Sequence, residues 1–126
     1  MPKFNINIKA TNLEMTDELR DFTEEKVSSI EKFMSLKDDD EVIVDVEIMK
    51  DYGEHHKKGK IYRAEINLQY GSKICRVDKR EYDIHSAIDE VVKEMKREVK
   101  RMRERKNDLF RKGASDLKKL LKFGKK

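Results

Sequence analysis

The sequence predicts an α+β fold, in which a four-stranded sheet is covered on one face by two helices in the order β-α-β-β-β-α. Four stretches alternate apolar and polar residues, which is the period of a half-buried strand. Two other stretches repeat apolar residues at helical spacing. Because each strand has one apolar face, two amphipathic helices can cover the sheet and form a two-layer sandwich.

The first strand and helix follow from the N-terminal third of the chain. Phe4, Ile6 and Ile8 alternate with polar residues and predict a strand. Thr16 precedes two acids, as expected at a helix N-terminus, and the helix should continue to about residue 35. A crossover to the next strand should be right-handed if the two strands are parallel. The apolar face of this helix comprises Leu19, Phe22, Val27, Ile30, Phe33 and Met34.

Three more strands are expected at residues 42–49, 62–70 and 73–78, where apolar and polar residues alternate again. Gly71-Ser72 marks a tight hairpin between the last two strands.

A long second helix follows, and Asp83 can cap its N-terminus. Lys106 falls on its apolar face, so we expect the helix to pack on the sheet only as far as about Met102. The apolar seam consists of Ile84, Ile88, Val91, Val92, Met95, Val99 and Met102.

These elements form one domain, predicted at residues 1–107, and residues 108–126 are predicted to be a flexible basic tail. Gly113 is the expected end of the ordered helix, and a partner-binding or membrane-surface helix is the alternative for the tail. The N-terminus has no signal-peptide pattern and no apolar run reaches transmembrane length, so we expect a cytoplasmic protein.

Charge is distributed unevenly along this chain of 126 residues with net charge +4. Residues 1–78 are net acidic and residues 79–126 are strongly basic, which indicates a polyanionic partner, nucleic acid before membrane. A solvated, ion-paired helix explains a charge run equally well. On a helical wheel centred on Ile88, one flank mixes Glu and Arg, and the other, about 60–140° away, is almost purely cationic. That flank carries Lys93, Lys96, Lys100 and Arg103.

Two smaller basic clusters accompany the long helix. The first, at the loop between the second and third strands, comprises Lys57, Lys58, Lys60 and Arg63, and a solubilising hairpin tip explains it as well as binding does. In the second, Lys79-Arg80 precede the long helix. Phosphate binding requires only such positioned cations. The sequence contains no exposed aromatic pair typical of base-reading sheets, so backbone and shape recognition is favoured.

Catalysis and metal binding have little support in the sequence. His55 and His56 are adjacent loop residues without zinc-site spacing, and Cys75 is the only cysteine, which we interpret as a packing residue. No phosphate-binding glycine loop or nucleophile elbow occurs. We therefore expect no enzyme activity, cofactor, metal or small-molecule substrate.

Motifs in both helices resemble one known family. Residues 12–20 read Asn-Leu-Glu-Met-Thr-Asp-Glu-Leu-Arg, and Ile-Glu-Lys-Phe follows at 30–33. Residues 81–89 read Glu-Tyr-Asp-Ile-His-Ser-Ala-Ile-Asp, before a basic run at 96–101. At this separation, over about residues 4–107, the motifs are similar to those of ribosome hibernation promoting factors, also called ribosome-associated inhibitor A or ribosomal subunit interface proteins.

The resemblance implies the same fold and binding to the small ribosomal subunit in the decoding channel, over the mRNA and the A- and P-site tRNA positions. Translation would then be inhibited, mainly through contacts to ribosomal RNA phosphates. The family tyrosine at the start of the second helix is His85 here. We expect a short form without the further C-terminal domain of long members. The matching basic positions are Arg20, Lys26, Lys32, Lys79, Arg97 and Arg101.

Two alternatives remain open from the sequence alone. A double-stranded RNA-binding domain shares the β-β-β-α order, although the acidic Tyr82-Asp83 stands where that family has lysines. A coiled-coil interaction module would use the seam of the long helix, which is regular over about two heptads.

Overall fold

The computed structural model describes residues 1–51 and 59–123, with side chains as far as Arg105. The strands are β1 (Lys3–Thr11), β2 (Glu41–Lys50), β3 (Tyr62–Tyr70) and β4 (Lys73–Glu81). Helix α1 (Asp17–Ser28) runs into a short 3-10 helix (Ser29–Phe33), and helix α2 (Ile84–Phe123) follows β4. The predicted α+β class and the β-α-β-β-β-α order are confirmed.

The strands form one mixed sheet in the order β1-β2-β3-β4. β1 runs parallel to β2, so α1 lies on a crossover connection, and β2, β3 and β4 are antiparallel neighbours. In this register Val44 lies between Ile6 and Leu68, which places apolar residues of adjacent strands on the same face.

The core lies between that face and the helices. Val44, Ile66 and Leu68 of the sheet are fully buried, as are Ile88 and Met95 of α2. α2 packs mainly over β3 and β4, whereas α1 packs beside it over β1. The predicted seam of α2 is therefore confirmed along the domain, with Met102 partly buried at its end.

The N-termini of both helices are capped as predicted. The Thr16 hydroxyl accepts a hydrogen bond from the Leu19 backbone N–H at 3.1 Å. Asp83 accepts bonds from the backbone N–H and the hydroxyl of Ser86, both at 2.8 Å. These bonds, the backbone one foremost, lower the pKa of Asp83 because they favour the carboxylate.

The end of the first helix differs from the prediction. The α-helix ends at Ser28, and the following 3-10 helix has three residues per turn instead of 3.6. This tighter winding changes the direction of successive side chains, so Phe33 is 41% exposed while Met34 is buried. The assignment of Phe33 to the apolar core face was therefore wrong.

α2 also continues beyond its predicted end. Its backbone is helical past Gly113 to Phe123, which at 1.5 Å per residue makes a helix about 60 Å long. A single internal glycine costs only about 1 kcal/mol in a helix, which is too little to stop one. The division into a domain at 1–107 and a flexible tail at 108–126 stays a prediction.

Candidate nucleic-acid interface

A groove runs between α1, with its 3-10 helix, and α2. At one end, Lys26 of α1 and Lys93 and Lys96 of α2 line a hollow of about 450 Å³ together with Glu81, Asp89 and Glu90. At the other end, Arg103 of α2 donates a hydrogen bond to the Ser35 hydroxyl at 2.8 Å. We call this surface, from Lys26 to Arg103, the helix groove. Lys93 and Arg103 are about 15 Å apart along α2.

The Arg103 end of the helix groove opens into a cleft of about 740 Å³. Its apolar walls include Met34, Val99 and Met102. Lys37 and Lys73 lie with Arg103 among its lining residues. Positive charge therefore continues from the groove to the tip of the β3–β4 hairpin.

Asp40 organises this end of the cleft. It accepts a hydrogen bond from the Tyr70 hydroxyl at 2.9 Å and one from the Lys37 backbone N–H at 2.8 Å. Burial, followed by the bond to Asp40 and its charge, raises the pKa of Tyr70. The hydroxyl thus stays protonated and holds the loop that carries Lys37 against the hairpin.

The cationic flank of α2 is only partly free of acids. Glu90 lies 3.8 Å from Lys93, because residues three apart share a helix face. Within the described part of the chain, no carboxylate oxygen lies within 4.0 Å of the charged groups of Lys96, Lys100 or Arg103. The prediction of an almost uncontested stripe therefore holds for three of its four residues.

The opposite flank of α2 is ion-paired, as predicted. Arg97 lies 2.9 Å from Glu94, and Arg101 pairs with Glu98. Both arginines are exposed. Exposed pairs of this kind are weak, so either arginine can exchange its partner for a phosphate at small cost.

The predicted cations of the first helix divide into two groups. Arg20 and Lys32 are exposed. Lys26 instead pairs with Asp89 of α2 at 3.5 Å, and its amine lies 5.6 Å from the centroid of the Phe22 ring. That ring makes an edge contact with His85, at 4.6 Å between centroids. Lys26 thus also joins the two helices.

The Lys79-Arg80 cluster is split by the pleat of β4, since consecutive strand residues point to opposite faces. Lys79 stands opposite the buried Ala64 on the helix-covered face. Arg80 is on the other face, 2.8 Å from Asp51. Only Lys79 therefore shares a side with the helices. Lys57 and Lys58 lie outside the described residues.

The open face of the sheet is electrically balanced by its own pairs. Arg63 lies 3.0 Å from Asp78 and 3.1 Å from Glu65, and Glu65 is also 3.6 Å from Arg76. Cations held among such acids attract polyanions less than the unpaired cations of the helix groove do. Because the cations of the open face are paired and three cations of the helix groove have no acidic partner among the described residues, the helix side is the candidate interface.

Sequence reasoning missed Lys37, Lys73 and Phe33. Lys37 is hidden in an acidic turn and Lys73 in a strand, and only the fold brings both to the Arg103 end of the groove. The exposure of Phe33 depends on the 3-10 winding, which the apolar spacing of the sequence did not reveal.

The described residues give little support for metal binding or for a reactive cysteine. Among them, no three His, Cys, Asp or Glu side chains lie close enough to hold a metal ion. Burial, and secondarily the charge of Glu98, raises the pKa of Cys75 and keeps its thiol neutral, as suits a packing residue. No helix in the part of the chain described has the length and apolar character needed to cross a membrane.

The fold and the site define the class of protein, a two-layer α+β domain that carries a cationic surface, the candidate nucleic-acid interface, between its two helices. The particular family follows from comparison. The chain belongs to the family described as Sigma 54 modulation protein / S30EA ribosomal protein, whose model matches residues 6–107.

Two curated relatives support this family assignment. The chain is 25% identical over 111 residues to the ribosome hibernation promotion factor of Bacillus subtilis, covering 88% of this chain and 54% of the relative. It is 31% identical over 107 residues to that of Lactococcus lactis, covering 85% and 52%. The chain thus spans about half the length of these curated relatives.

Two solved structures share the fold. The N-terminal domain of Thermus thermophilus Protein Y aligns with a TM-score of 0.63 at 29% identity, covering 79% of this chain and 99% of that one. A ribosomal subunit interface protein from Coxiella burnetii aligns with a TM-score of 0.62 at 12% identity, covering 80% and 99%, and its likeness concerns the fold alone.

Proposed function

We propose that this protein is a ribosome hibernation factor that binds the small ribosomal subunit in the decoding channel and thereby inhibits translation. The names of its relatives point to the ribosome. The observation that carries the proposal is the helix groove, in which Lys96, Lys100 and Arg103 have no acidic partner among the described residues.

Unpaired cations on a rigid helix suit a phosphate backbone. Lys96 and Arg103 are fixed by contacts to the segment after α1, the first over the Phe33 ring and the second on Ser35. Less side-chain freedom is therefore lost on binding. Lys26 and Lys93 extend the surface once their weak, exposed pairs open.

The mechanism we propose is occupancy without catalysis. A protein lodged where mRNA and the A- and P-site tRNAs bind excludes them sterically, and the ribosome is held inactive in the cytoplasm. The start of α2 does not favour plain duplex RNA as the target, because the carboxylate of Asp83 caps the helix there and repels phosphates.

Co-sedimentation tests the partner. The protein is mixed in low salt with purified small subunits, large subunits or a duplex RNA of ribosomal origin. We expect it to pellet with small subunits and to bind them more tightly than the other two. Tighter binding to plain duplex RNA than to small subunits would replace the proposal by a double-stranded RNA-binding function.

A further inference from the structure

Phe33 is an exposed aromatic ring beside Lys96 of the helix groove. Among the described residues, the large apolar side chains most exposed to solvent are Met1, Phe33, Ile74 and Tyr82. Phe33 is 41% exposed and is the one of the four that contacts a groove cation, since the amine of Lys96 lies 5.3 Å from its ring centroid.

Its position is held by the backbone. Phe33 is the last residue of the 3-10 helix, and Ser35, two residues later, has a φ of +52°, in the left-handed region. On either side of Phe33 in the chain, Ile30 and Met34 are buried in the core. The ring is thus presented from a turn anchored at both ends, and exposing it brings no hydrophobic gain to the free protein.

The Phe33 ring and the lysines around it are suited to the base and the phosphates of a nucleotide, respectively. An aromatic face offers stacking to any base, and nearby lysines offer contacts to the phosphates on either side of it. Lys96 lies at the ring, the exposed Lys32 precedes it in the chain, and Lys100 is one turn along α2.

We propose that Phe33 is a stacking platform for one unpaired base of ribosomal RNA. This inference rests on the proposed function and adds to it a contact to a base, where the sequence favoured recognition of the phosphate backbone and shape. The amine of Lys96 has a cation–π contact with the ring, and the base covers the part that solvent reaches in the free protein.

Three substitutions separate stacking from simple apolar contact. Phe33→Leu keeps an apolar side chain without a π face, Phe33→Ala removes both, and Phe33→Trp keeps a larger π face. We expect the affinity for Bacillus subtilis small subunits to fall about tenfold in the Leu and Ala variants and to be retained in the Trp variant. The salt dependence should not change, because no cation is removed.

Ile74→Ala is the matched control, because Ile74 is 64% exposed and belongs to the strand face away from the helices. It should bind like the wild type. A folded Phe33→Leu variant that binds within twofold of the wild type would overturn the stacking proposal while leaving the proposed function intact. Absence of wild-type binding would instead remove the proposed function itself.

A spectroscopic measurement tests the same contact without relying on a loss of affinity. The protein has no tryptophan, so Phe33→Trp introduces a single tryptophan, which can be excited selectively over the four tyrosines. Stacking on a base should quench its emission when small subunits are added, with the wild-type mixture supplying the ribosomal background. Emission that stays unchanged under conditions where the variant co-sediments would overturn the proposal.

Discussion

Reversing two charges in the helix groove should remove most of the ribosome affinity while leaving the fold intact. In the double variant Lys96→Glu and Lys100→Glu, two cations without acidic partners among the described residues become anions. Lys100 is exposed and Lys96 lies over the partly exposed ring of Phe33, so no buried charge is left unpaired.

The expected loss of affinity can be calculated from the release of counterions when phosphates are neutralised. Each phosphate neutralised contributes about 0.7 to 0.9 to the slope of log K against log salt, which in 0.1 M salt corresponds to about five- to eightfold in affinity. Two lost contacts therefore weaken binding by about 25- to 60-fold, or about 2 to 2.5 kcal/mol, before repulsion by the new carboxylates is added. The slope itself should become shallower by about 1.4 to 1.8.

Co-sedimentation with small subunits over a salt series measures both quantities, and thermal unfolding checks the fold. The double variant Lys3→Glu and Lys9→Glu is the matched control, since it makes the same change in net charge at exposed positions of β1. If the folded groove variant bound as tightly as this control, the cationic flank of α2 would have no part in the mechanism.

Three further predictions concern the scaffold and can be checked by urea denaturation. Met95→Ala should lower the free energy of unfolding by about 2–5 kcal/mol, because Met95 is fully buried under the sheet, and a loss below about 1 kcal/mol would contradict the core described. Thr16→Ala should cost about 1 kcal/mol through loss of the cap bond to Leu19, and an unchanged midpoint would show that the cap contributes nothing. Asp83 has a lowered pKa in the folded state, so its charge stabilises the protein above its unfolded-state pKa and this contribution disappears as the pH falls through the folded value. The stability difference between wild type and Asp83→Asn should therefore shrink on acidification, and a pH-independent difference would refute this role.

The sheet and the seam of α2 could be predicted because one physical pattern determines them. Alternation with period two leaves a strand such as β2 only one way to bury its valines, and this determines which of its residues face the helices. Thr16 and Asp83 could be predicted as caps because their hydrogen bonds are local in sequence.

The features that the sequence did not predict depend on contacts between residues distant in the chain or on small energy differences. Lys37 and Lys73 line the cleft at the Arg103 end of the groove only because the fold brings a turn and a hairpin together there. Phe33 is exposed because a 3-10 helix replaced the last α-turn, a choice that apolar spacing does not decide. Arg80 turned away from Lys79 because strand geometry separates neighbours.

Competition with tRNA on the small subunit tests the central claim most directly. The protein is first bound to small subunits in low salt, and tRNA with a short mRNA is then added in increasing amounts before sedimentation. The proposed position in the decoding channel predicts that tRNA displaces the protein into the supernatant, and that the protein in excess displaces tRNA. Stable binding of both to the same subunits, or no co-sedimentation of the protein even without competitor, would contradict the account.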